Sequence, residues 1–208
     1  MLHRRSLTAR APGLLRRIQF GMVLLGALLV AAPAGAIGIS EEEADVFAAL
    51  LNHGLATETR LLVLSDQTTG DPAAVAAYEE TAAAILADIG APPELLTSWI
   101  RRNTIRATLD RTLQLERSYQ LLSDEQRASL FDAAEPEAAW TAFYARYADS
   151  PGLLRVSRAG FDDRSDQALV YAEHQCGADC GSGRLVFLRH TPGQGWAVQD
   201  TALVWIVD

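Results

Sequence analysis

The sequence predicts an α+β domain in which N-terminal helices pack on a mostly antiparallel sheet ending in a four-stranded β-meander. Two observations carry this. Between Ser40 and Asp149 apolar residues recur at helical spacing, interrupted by two short apolar runs. After Ser150-Pro151-Gly152 the period becomes strand-like: LLRVSRAGF, QALVYAEH, RLVFLRH and WAVQDTALVWIV are separated only by short turn-forming segments. Short connections make neighbouring strands antiparallel, and helices followed by such a sheet imply helices covering one sheet face.

The elements follow in chain order. Ser40 ahead of Glu41, Glu42 and Glu43 forms a capping box, with the acids favoured by the helix dipole. A helix should run from about Glu41 to His53, with Phe47, Leu50 and Leu51 on one face and Gly54 as its stop. LLVLS after Arg60 reads as a buried strand. Asp71-Pro72 opens a second helix, with Val75, Tyr78, Ala82, Ile85, Leu86 and Ile89 on its stripe, and Gly90 and Pro92-Pro93 end it. A helix from Glu94 to Asn103 groups Leu95, Leu96 and Trp99. SYQLL after Arg117 reads as a strand, and Ser123 to Gln126 caps the next helix. Pro136 opens one more, where Trp140, Phe143, Tyr144 and Tyr147 fall at helical spacing. Such a stripe reads as core rather than as a ligand platform. Trp140, Phe143, Tyr147, Trp196 and Trp205 are expected to be buried.

The N-terminus has a different character. Arg4, Arg5, Arg10, Arg16 and Arg17, with no acidic residue, precede an apolar run from Phe20 to Ala32, and Ala34-Gly35-Ala36 follows. This order of basic flank, short apolar core and small-residue exit reads as a secretory signal peptide over residues 1–36. The run has 13 residues, whereas a spanning helix needs about 20. Cleavage after Ala36 therefore leaves residues 37–208 as a single domain, periplasmic or secreted, with no stable membrane span. No cysteine stands near the cut to carry a lipid.

The remaining 172 residues hold 13 basic and 26 acidic side chains, a net charge of −13. So acidic a chain repels nucleic acid and anionic lipid. Every one of the basic residues is arginine, which excludes Schiff-base chemistry and a phosphate-binding P-loop lysine. No cofactor is implied. Arg101, Arg102, Arg106 and Arg111 form the one basic concentration and read as a salt-bridged or solvated helix surface.

Both cysteines lie in HQCGADCGSG, residues 174–183. An exported chain with two cysteines and none left over points to a Cys176–Cys180 disulfide stapling the turn between QALVYAEH and RLVFLRH. Gly177, Gly181 and Gly183 are expected to supply positive φ for a tight reversal. A ring of roughly five residues contributes only about 2 kcal/mol by chain entropy. The competing chemistries are a tetrahedral zinc site from His174, Cys176, Cys180 and His190, and a reactive thiol. C-x-x-x-C between strands lacks both the usual zinc-knuckle spacing and the helix N-terminus of thioredoxin-like sites. Asp66, Asp162, Asp163 and Asp200 are the acids available for hydrolytic work, but no G-x-S-x-G, G-x-G-x-x-G or H-E-x-x-H motif occurs.

The run QALVYAEHQCGADCGSGRLVFL, a glycine-rich turn, Trp196 and Trp205 resembles a group of small exported bacterial proteins. Their C-terminal part has an alternating strand, CG-x-x-CG-x-G, another strand and a final Trp-containing strand. LLVLSDQT and YQLLSDEQ are similar to segments of the same group. The lipoprotein cysteine of some members has no counterpart here. The resemblance implies export and assigns no activity. Two function classes follow: a non-catalytic binding or structural module with a protein or small-molecule partner in the cell envelope, or an exported thiol-dependent or hydrolytic enzyme.

Overall fold

The local signals place most of the elements. Ser40 accepts a hydrogen bond from the Glu43 N–H at 3.2 Å while Glu43 accepts from the Ser40 N–H, so α1 (Glu41–Ala49) starts at its capping box. A wider π-type turn, Leu50–Gly54, continues it, and there Leu50 and Leu51 are both fully buried. The elements after it are β1 (Leu61–Ser65), α2 (Glu79–Asp88), α3 (Pro93–Arg102), β2 (Ser118–Leu122), α4 (Asp124–Phe131) and α5 (Pro136–Arg146). The strands β3 (Leu153–Val156), β4 (Gly160–Phe161), β5 (Gln167–Gly177), β6 (Cys180–Thr191) and β7 (Gly195–Val207) complete the chain. This computed structural model describes residues 37–54, 60–70, 79–109, 113–132 and 135–207. The signal segment 1–36, the expected helix start at Asp71-Pro72 with Val75 and Tyr78, and Arg111 lie outside the described residues. Ala36–Asp208 forms one compact unit.

The fold is α+β with a C-terminal meander. The described sheet has seven strands in the order β2-β1-β3-β5-β6-β7, with β4 also paired to β5. The predicted strand LLRVSRAGF is split into β3 and β4, and these with β5, β6 and β7 form the antiparallel meander. The other half is parallel: β1 pairs with β2 from Leu61 opposite Ser118 to Ser65 opposite Leu122, and with β3 on its other side. Such pairs need long crossovers. Here α2 and α3 connect β1 to β2, and α4 and α5 connect β2 to β3.

Helices cover both sheet faces rather than the one face expected. On one face Val46 and Phe47 of α1 and Leu50 of the turn after it pack against Leu62, Leu64, Val156, Val170 and Val186. On the other, α2 and α3 cover Leu169, Leu185 and Phe187, while Phe143 of α5 and Tyr147 at its end cover Val63, Leu122 and Leu153. The reason lies in β1, where Leu62, Val63, Leu64 and Ser65 are all buried. A strand with consecutive buried residues needs cover on both sides. Phe143 and Tyr147 are buried as expected, whereas Trp140, Trp196 and Trp205 are only half-buried. For Trp196 and Trp205 the cause is position, because β7 is the edge strand.

Candidate functional site

The cysteine segment is part of a hairpin whose two strands run to its tip. Gly177 pairs with Cys180, so the turn is only Ala178-Asp179, and the register shifts between Gln175 and Gly177 to leave Cys176 in a bulge. Cys176 and Cys180 are bonded, with Cα atoms 5.0 Å apart, inside the range a disulfide tolerates. Cys176 is half-buried and tied to α5 through its backbone: its carbonyl accepts a hydrogen bond from the Tyr144 hydroxyl at 2.9 Å. The same hydroxyl lies 3.2 Å from the Pro151 carbonyl, and His174 Nε2 lies 3.0 Å from that oxygen. Burial pushes the Tyr144 hydroxyl above its ordinary pKa. Gly152, at φ +139°, brings its backbone so close that a Cβ there would strike the Gln175 carbonyl. Cys180, in contrast, is exposed.

The glycines of this segment do a different job from the one expected. None of Gly177, Gly181 and Gly183 has positive φ. Trp205 pairs with Gly183, and a Cβ on Gly183 would collide with the Trp205 indole nitrogen and the Tyr171 hydroxyl. A Cβ on Gly181 would come within 3.2 Å of the same ring. These two glycines provide space for an indole rather than backbone freedom. Across the cleared strand the Trp205 N–H donates to the Tyr171 hydroxyl at 2.6 Å, and that hydroxyl donates to Glu173 at 3.0 Å. Glu173 also pairs with Arg155 at 3.1 Å. A polar line thus crosses the sheet from β7 to β3, between the apolar patch under α2 and α3 and the one under α5.

Two further ionic groups are built by the tertiary fold. Glu43 is fully buried. Arg158 grips it with Nε at 3.1 Å and Nη2 at 2.9 Å, and Arg102 Nη2 lies at 2.9 Å. Burial pushes the Glu43 carboxyl up, but the Arg158 hydrogen bonds, the Ser40 backbone and both guanidinium charges together hold it below the ordinary value. The clamp joins α1, α3 and the β3–β4 connection, and Arg102 also lies over the Phe161 ring. At the carboxyl ends of β1 and β2 stand Asp66 and Asp124. Burial, and then the Asp124 charge, push Asp66 up, and its Oδ1 is buried without a hydrogen-bond partner. Arg106, at 2.9 and 3.1 Å, is the main reason Asp124 is held down.

The other predicted candidates do not converge. His190 pairs with Trp196 at the far end of β6, eight residues from Ser182, which faces His174. That is roughly 26 Å along an extended strand, so the four zinc-ligand candidates are not brought together. Asp162 accepts from the Asp166 and Gln167 N–H groups, each at 3.0 Å, and Asp200 from the Thr201 N–H at 2.7 Å. Asp163 is exposed. Of the arginine group, Arg102 and Arg106 are in ion pairs and Arg101 is exposed. Among the described residues no three His, Cys, Asp or Glu side chains are grouped to hold a metal ion. The polar line went unread in the sequence, although alternate glycines at 181 and 183 followed by a strand tryptophan are its local sign.

No protein-family model, curated protein or solved structure matches this chain. Two coarser properties are plain from the geometry: an exposed disulfide suits an oxidising compartment outside the cytoplasm. No described helix is long and apolar enough to cross a membrane.

Proposed function

We propose that the chain is a bacterial exported protein that loses residues 1–36, and that residues 37–208 act in the periplasm or outside the cell as a non-catalytic binding or structural module. The observation that carries this reading is β7. It pairs with β6 alone among the described strands, and three large apolar side chains, Leu203, Ile206 and Val207, stand exposed near its end. A sheet edge with open backbone groups is a surface for binding. Glu43, Tyr171, Glu173, Arg102, Arg155 and Arg158, in contrast, are used in internal ion pairs and hydrogen bonds. The partner is a protein or small molecule of the cell envelope. Export is tested by intact mass: the exported protein should begin at or close to Ile37, and residues 1–36 still attached would overturn cleavage. The binding reading is tested by capture from an envelope fraction with wild type and with Ile206→Arg. A partner held by wild type and released by the variant, with the fold intact, supports it; equal capture by both overturns β7 as the surface.

The alternative, an exported thiol-dependent or hydrolytic enzyme, has one observation in its favour. Asp66 and Asp124 are neighbours pushed in opposite directions, the pattern of an acid and base pair. Hydrolysis of ester or glycoside substrates by wild type, lost in a folded Asp66→Asn variant, would establish that reading in place of the first.

A further inference from the structure

The two cysteines of the staple differ in exposure. Cys180 follows the exposed pair Ala178-Asp179 and is itself exposed. Cys176 is half-buried in the β5 bulge, with its carbonyl held by Tyr144 and the Gly152 backbone packed closely against it. The bond is also not what holds the hairpin. Strands β5 and β6 stay paired from Gln167 opposite Arg189 to Gly177 opposite Cys180, and β6 is flanked by β7 on its other side. A five-residue ring removes little freedom from the unfolded chain compared with that ladder. Exposed disulfides are the ones open to exchange.

We propose that Cys180 is a thiol-exchange site, at which an external thiol or dithiol opens the staple while the domain stays folded. The incoming thiolate attacks Cys180 Sγ. The Sγ–Sγ bond breaks with its electron pair on Cys176 Sγ, which takes a proton from water, and a mixed disulfide remains on Cys180. When the reagent is a dithiol, its second thiolate displaces Cys180 from the mixed disulfide, and the Cys180 thiolate is protonated. The dithiol leaves oxidised by two electrons, and both cysteines are left as thiols. The chemical class of the reactant is a thiol able to reach an exposed hairpin tip. Attack at Cys176 is disfavoured because that half-buried residue is packed beside Gly152 and Tyr144.

The test uses the unmodified protein without denaturant. Dithiothreitol is added at neutral pH, free thiols are counted by alkylation and mass, and circular dichroism is followed in the same samples. Two thiols should become reactive per chain with the sheet signal retained. In a second arm, brief exposure to 2-mercaptoethanol followed by acid quench and peptide mapping should place the adduct on Cys180 several-fold more often than on Cys176. Thiols that become reactive only as the sheet signal is lost would overturn the proposal. An adduct mapped chiefly to Cys176 would overturn the assignment of the attacked sulfur.

Discussion

Trp205 and Tyr171 are joined by a 2.6 Å hydrogen bond that passes over Gly183, the strand β6 residue lying between them. The contact depends on what Gly183 lacks, because any side chain there would occupy the volume of the indole nitrogen and the phenol oxygen. It also ties the edge strand to the interior line through Glu173 and Arg155.

Trp205→Phe should lower unfolding free energy by about 1–2 kcal/mol, the range for losing a partly buried hydrogen bond with some packing. Gly183→Ala should cost about 1–3 kcal/mol through overpacking. In a Trp205→Ala background much of the Gly183→Ala cost should vanish, because the obstructing ring is gone. Urea denaturation of the four proteins measures this cycle, and additive penalties would show that the two residues do not share this space.

Glu43→Ala should be the most damaging single change at the clamp. It strands Arg158 and Arg102 beside a buried hole, and breaking a buried pair from one side costs about 3–5 kcal/mol. Thermal melts of Glu43→Ala and Arg158→Met test it. A shift no larger than that of an exposed control such as Glu125→Ala would contradict the clamp.

The same carboxyl sets a pH dependence whose sign is fixed. Glu43 is lowered in the folded state, so its contribution is full above the ordinary value of 4.5 and is lost as pH falls through the folded value. Asp66 is raised, so its contribution is full below the ordinary value of 3.8 and is lost as pH rises through its folded value. Asp66→Asn should therefore flatten the decline on the alkaline side of that window, and Glu43→Gln should flatten the acid loss. Melting temperature followed from pH 3 to pH 7 distinguishes them; identical profiles for wild type and both variants would refute the assignments.

Gly160→Ala should disrupt the docking of α3 on β4. A Cβ at this position would lie 2.5 Å from the Trp99 Cα and backbone nitrogen, and backbone cannot give way as a flexible side chain can. A loss of about 1–3 kcal/mol is expected, with weaker hydrogen-exchange protection in α3. Unchanged protection would place the contact elsewhere.

Loss of the staple should be mild by comparison. The double variant Cys176→Ser, Cys180→Ser should lose no more than about 2 kcal/mol, the chain-entropy value for so small a ring. Chemical denaturation beside wild type measures it, and failure of the double variant to fold would show that the staple governs the hairpin.

What the sequence determined by itself is what neighbours in the chain decide together. Ser40 and Glu43, Ser123 and Gln126, Pro136 at a helix start, and the turns between the C-terminal strands each act over three to five residues. The capping boxes, helix starts and meander stand where these signals put them. The disulfide was legible too, because its partners are four residues apart. The tertiary structure alone decided the parallel pairing of β1 with β2 and β3, because a parallel neighbour arrives after a long crossover and leaves no turn signal between the strands. It also decided the fate of Glu43. A capping-box glutamate is ordinarily an exposed residue, and only the arrival of Arg102 and of Arg158, the latter 115 residues away, makes its burial affordable by supplying charge and hydrogen bonds where water is excluded. Likewise Gly181 and Gly183 announce small residues without saying why. The reason enters only when β7 folds back and lays Trp205 across them.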